Sequence, residues 1–166
     1  MKKLLVTIFL LSTVAITYGQ NPLPVGKVQL NAGLGLSNWG FPVYVGLDFG
    51  VGKDFTLGGE FSFRSYNDKY YGTGYDHSIM GISGNGNYHF NTVLNMSSDW
   101  DFYAGLNLGY YTWSSSTDYP GNRYSGIGLG GQVGGRYNFS QKVGVNLEFG
   151  GGNALSGGKV GLTFKL

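Results

Sequence analysis

From Lys27 onward, apolar side chains recur at every second position almost without a break. Period two puts one residue set on each face of an extended strand, so this chain is limited to β-structure. In Lys27–Ser37 one face carries Val28, Leu30, Ala32, Leu34 and Leu36, the other Gln29, Asn31, Gly33 and Gly35. The pattern returns in Val43–Val51, Phe55–Arg64, His77–Phe90, Asp101–Trp113, Gly126–Phe139, Val143–Gly150 and Lys159–Leu166. Eight strands are predicted. The fourth is the least regular, because Ile79 falls on its polar side.

The connections alternate as well. Gly52–Asp54 and Ser140–Lys142 are tight turns, and Asn91–Asp99 is a longer link on the same side. Asn38–Phe41, Tyr66–Asp76, Ser114–Ser125 and Gly151–Gly158 lie on the other and read as loops. An even strand number with short turns on one rim and longer loops on the other predicts an antiparallel up-and-down transmembrane β-barrel. No apolar run after the first twenty residues is long enough for a transmembrane helix.

Period two does not say which face is outside. A soluble barrel of lipocalin type would turn the apolar face inward and leave Gly, Asn and Ser in water. Only 12% of the residues are charged, whereas soluble surfaces usually carry about 25–35%. Phe49, Phe55, Tyr88, Phe90, Phe102, Tyr137, Phe139 and Phe164 gather near strand ends, as a girdle at the short-turn interface requires. Both point to lipid outside. Eight strands enclose a lumen just wide enough for side chains to fill. Many of the 31 Gly then make room for the inward rings of Tyr44, Tyr103, Tyr111 and Trp113.

Lys2 and Lys3, the apolar run Leu4–Ile16 and the residues Thr17, Tyr18 and Gly19 read as a secretory signal peptide cut before Gln20. The expected domains are therefore a signal at 1–19 and a barrel at 20–166. Loss of Lys2 and Lys3 leaves nine basic residues against nine acidic ones. A neutral chain without clustered Lys and Arg excludes a nucleic-acid footprint. Having no Cys, it also has no disulfide, thiol nucleophile or Cys-ligated zinc.

The chain resembles the small outer-membrane β-barrels of the eight-stranded OmpA/OmpX type, and most closely the short "outer membrane β-barrel domain" or "porin family" proteins of Bacteroidota. The likeness is carried by Tyr18-Gly19-Gln20, by Gly84-Asn85-Gly86-Asn87-Tyr88-His89-Phe90 and by Trp100-Asp101-Phe102-Tyr103-Ala104-Gly105-Leu106. The terminal Val160–Leu166 is similar to the signal read by the barrel-assembly machinery, though that signal often ends in Phe and this one ends in Leu166. The resemblance implies a Gram-negative outer membrane, with its lipid and lipopolysaccharide as surroundings, and no defined activity.

Catalysis needs a nucleophile, a base and an orienting group within reach. His77 and Ser78, being adjacent on a strand, face opposite ways, and no His pair has metal-ligand spacing. No catalytic, cofactor or metal site is expected. Gly126–Gly131 carries glycines at nucleotide-loop spacing, but inside a strand with no helix following. The inward charges Glu60, Arg136 and Glu148, with Asp48 beside them, are expected to form a salt-bridge cluster that plugs the lumen or gates a narrow pore. Tyr70, Tyr71, Tyr75, Tyr119 and Tyr124 in the long loops offer amphipathic contact area for an extracellular partner, or else an outer aromatic girdle. The function expected is a structural or surface-interaction barrel, with a narrow pore for ions or very small solutes as the alternative.

Overall fold

A computed structural model describes residues 23–37, 40–121, 125–152 and 156–166. The expected signal peptide and Tyr124 lie outside the described residues. Eight strands run in chain order: β1 (Val28–Ser37), β2 (Val43–Gly52), β3 (Phe55–Tyr70), β4 (Thr73–His89), β5 (Trp100–Ser115), β6 (Gly126–Asn138), β7 (Val143–Gly152) and β8 (Gly157–Lys165). Each pairs antiparallel with its neighbours, and β1 pairs with β8 from Gln29↔Lys165 to Ser37↔Gly157, so the sheet closes into a barrel. A one-turn helix, α1 (Asn91–Leu94), fills the β4–β5 link and ends on Asn95 in the left-handed region, φ 48°.

The barrel is apolar outside and polar inside. Leu106 is 66% exposed and Ile127 71%, while Gln29 and Asp101 are each 1% exposed. Among the described residues, the buried apolar and aromatic side chains are Leu23, Tyr44, Ile79 and Tyr103. A lipocalin-type interior would be the reverse. Ile79 is buried on the inward face, as its place in the alternation requires. At the short-turn rim, Phe55 meets Tyr88 at 5.1 Å and Tyr88 meets Phe90 at 5.2 Å between ring centres. Trp100 packs on Tyr137 at 4.8 Å and stacks on Phe102 at 5.9 Å. These rings form the expected girdle.

The structure corrects the long loops. Tyr66–Asp76 is not a loop: β3 and β4 stay paired up to Tyr70↔Thr73, and two residues, Tyr71 (φ 48°) and Gly72 (φ 86°), make the turn. Two consecutive positive-φ residues form the primed turn that matches strand twist. Polar residues hid this extension, because beyond the membrane neither face needs to be apolar. β2 stops pairing with β3 at Val43↔Phe63 and β5 with β4 at Ser115↔His77, so the hairpin tip stands above the barrel.

At the opposite rim, residues before β1 turn in toward the lumen. Leu23 is 2% exposed, and its carbonyl oxygen would stand 2.7 Å from a Cβ added to the inward-facing Gly50.

Glycine is required where rings cross the lumen. Gly134 faces Tyr103 across the β5–β6 ladder, and an added Cβ would run into the Tyr103 ring. At Gly81 the added atom would lie 2.7 Å from the Tyr111 ring. Gly134→Val is therefore expected to block closure. The variant should lose the heat-modifiable band of a folded barrel on an unboiled gel, whereas Gly126→Val, with open space around it, should keep it.

Candidate functional site in the lumen

The inward side chains meet in two layers. In the lower layer, nearer the short turns, Arg136 Nη2 donates to Asp48 Oδ2 at 2.6 Å and Nη1 donates to Asp101 Oδ1's partner oxygen, Oδ2, at 3.3 Å. Asp48 is on β2 and Arg136 on β6, diametrically opposite strands, so this ion pair spans the barrel. Asn31 donates to Asp48 at 2.9 Å and accepts from Gln29 at 2.9 Å. In the upper layer, Lys159 Nζ lies 2.7 Å from both Glu60 and Glu148.

Tyr103 joins the layers. Its hydroxyl donates to Glu148 at 2.9 Å, and the Arg136 guanidinium lies 4.5 Å from its ring centre. Tyr44 reaches across to Asn146 at 3.1 Å, with Lys159 Nζ 5.0 Å from its ring. Between the layers remains a void of about 20 Å³, bordered by Asp48, Glu60, Tyr103, Arg136 and Lys159. That is roughly the space of one water.

The expected cluster is thus brought into one lumen but paired differently. Arg136 contacts Asp48, not Glu60 or Glu148. Register explains it: Glu148 stands opposite Gly134, while Arg136 stands opposite Asn146 on one side and Asp101 on the other. The partner of both glutamates is Lys159, directly opposite Glu148 on β8. Alternation places Lys159 on the inward face but does not say which carboxylates it meets, and Asp101 enters the cluster by standing opposite Arg136. Register is set by the turns, and period two does not encode it.

His89 reveals an arrangement that the sequence spacing concealed. Thr56 Oγ1 lies 2.9 Å from His89 Nε2, and His89 Nδ1 lies 2.7 Å from Asp101 Oδ1. Hydroxyl, imidazole and carboxylate stand in the order of a nucleophile relay. Yet Thr56, His89 and Asp101 are 2%, 0% and 1% exposed, and Asp101 also holds Arg136. No carbonyl substrate reaches this hydroxyl, so the triad acts as a latch between β3, β4 and β5. Among the described residues, no group of three or more His, Asp or Glu is arranged to hold a metal ion.

The loop tyrosines also gather, but toward the barrel axis. Tyr119 packs edge-on against Tyr70 at 5.6 Å, Tyr75 at 5.2 Å and His77 at 5.0 Å. Tyr66 touches His77 at 5.0 Å and Trp113 at 6.2 Å. The rings cover the inner face of the β3–β4 hairpin instead of forming a belt around it. Tyr71, at the turn, is 94% exposed.

No family model and no curated protein matches this sequence. Solved structures do match. Pseudomonas aeruginosa OprG superposes with a TM-score of 0.67 at 10% identity, covering 87% of this chain and 97% of that one. The fold is that of the small outer-membrane β-barrels. Ail, the attachment invasion locus protein of Yersinia pestis, gives 0.55 at 11% identity over 86% of this chain and 99% of its own. The de novo designed barrel TMB2.3 gives 0.56 at 16% identity over 86% and 96%. A designed chain and natural ones share this architecture, and a fold by itself assigns no task.

Because both carboxylates of the lower layer converge on one guanidinium at 4% side-chain exposure, removing it strands them. Arg136→Met is expected to cost about 3–5 kcal/mol, the usual loss when one partner of a buried pair is deleted. Lys159→Met should cost less, since Lys159 is 24% exposed. Urea unfolding of the barrel in lipid vesicles measures both.

Proposed function

We propose that this chain is a non-enzymatic barrel of the Gram-negative outer membrane, with a structural or surface-interaction role and a closed lumen. The observation that carries this reading is the pair of buried ionic layers, Arg136 with Asp48 and Asp101 below and Lys159 with Glu60 and Glu148 above. Charges held this way inside a narrow barrel act as a plug. The exposed apolar band and aromatic girdle support insertion in lipid, and the neighbouring lipopolysaccharide would meet the long-loop rim. Export by a signal peptide cut before Gln20 and insertion by the barrel-assembly machinery complete the route.

The surface role rests on the tyrosine-lined hairpin that stands above the barrel, with Tyr71 at its tip and Tyr70, Tyr75 and Tyr119 packed beneath. Tyrosine among small polar residues gives contact area at low entropic cost. Ail, named for attachment and invasion, shows that this fold can carry such a protein.

Fractionation with a heat-modifiable gel shift tests location and closure together. The protein is expected in the outer-membrane fraction and to migrate faster unboiled; a protein that stays in solution without detergent overturns the reading. Planar bilayers test the lumen. The native protein is expected to give no discrete openings, and the pair Arg136→Ala with Lys159→Ala is expected to give them. Steady openings from the native protein would favour the narrow pore instead.

A further inference from the structure

We propose that the outer end of the lumen is a binding cup for one small free oxyanion, a carboxylate or phosphate, held by Arg64. A cavity of about 100 Å³ lies there, walled by Ser37, Pro42, Ser62, Arg64 and Tyr111 and floored by the Lys159 layer. The plug seals it below, so it is a dead end open toward the long-loop rim.

Arg64 stands two inward positions above Glu60 on β3 and is 5% exposed. Among the described residues its one hydrogen bond runs from Nη1 to Ser37 Oγ at 2.8 Å, and its Nε is buried with no partner, as is that of Arg136. What separates the two buried arginines is the ion pairing. Arg136 meets two carboxylates, while Arg64 forms no ion pair with any described residue. Glu60 and Glu148 border the same cavity, but Lys159 holds each at 2.7 Å.

A guanidinium taken out of water without an anionic acceptor is costly. An oxyanion supplies that acceptor, because its paired oxygens match the guanidinium fork. Tyr111 and Ser62 add neutral donors on the cavity wall. Glu60 and Glu148 on the floor repel an anion that sinks further, which fixes it at the level of Arg64. The cavity volume admits acetate or inorganic phosphate with a little water, and strands on every side bar anything bulky. A phosphate on a lipid headgroup has the same chemistry but cannot pass the walls.

The test uses the folded, isotope-labelled protein in maltoside micelles, titrated with sodium phosphate and separately with sodium acetate at fixed pH and ionic strength. Saturable chemical-shift changes are expected at Arg64, Ser62 and Tyr111. Arg64→Gln should weaken binding about tenfold or more, the loss of a charge-assisted hydrogen bond. Glu60→Gln, which removes a repelling charge, should tighten it several-fold. No saturable change in the native protein, or equal affinity in Arg64→Gln, overturns the proposal. If Arg64→Gln does not fold, the Glu60→Gln result decides: unchanged or weaker binding overturns it. Nanodiscs containing phosphatidic acid form the last arm; a response there without one to free ions assigns the chemistry to a headgroup and overturns the free-ion cup.

Discussion

Every main-chain donor and acceptor of a strand in hydrocarbon must find its partner in the protein, because lipid offers none. Closing β1 onto β8 meets that demand and at the same time fixes the radius. With the radius set, the interior at the level of the ionic layers is filled by side chains reaching across from opposite strands. From this come the inward glycines, the rings that lie beside them, and the need for each buried charge to meet an opposite one. Gly134 and Tyr103 illustrate the coupling: the ring can cross toward Glu148 because its neighbour has no side chain.

The faces of the strands were legible in the sequence because burial in lipid and burial in the lumen impose opposite chemistries on alternate residues. Strand number and the two kinds of rim followed from the spacing of the breaks. What could not be read was register. Asp48, Glu60, Arg136 and Glu148 were recognisable as inward charges, yet which of them touch depends on offsets of two residues between strands. Those offsets are fixed by turns such as Lys53-Asp54, whose sequence does not state them. Thr56, His89 and Asp101 come from three different strands, so no local motif announces their contact. The hairpin above the barrel was hidden for another reason: outside the membrane the two faces no longer differ in polarity, and alternation loses its meaning.

A relay of hydroxyl, imidazole and carboxylate is a reminder that geometry alone does not make a catalyst. Thr56, His89 and Asp101 have suitable spacing and no access. Their environment instead suits a role in which three strands are tied together at the short-turn end of the lumen. The same comparison of geometry with access separates the two buried arginines. Arg136 has its charge matched by two fixed carboxylates, and Arg64 faces a space that a solute can enter.

The meeting of the first and last strands gives the polar layers a temporal meaning. β1 and β8 are the most distant partners in the chain, so their ladder forms late, and several of its positions, Gly33, Gly35, Gly157, Gly158 and Gly161, contribute no side-chain packing of their own. Lys159 on β8 reaches Glu60 on β3, and Tyr44 on β2 reaches Asn146 on β7, each bond passing over that junction from within. These contacts form once the ring is complete and must break before it can reopen. Contacts made only after closure slow opening without speeding closure, so the persistence of the closed ring is expected to be set by its rate of opening.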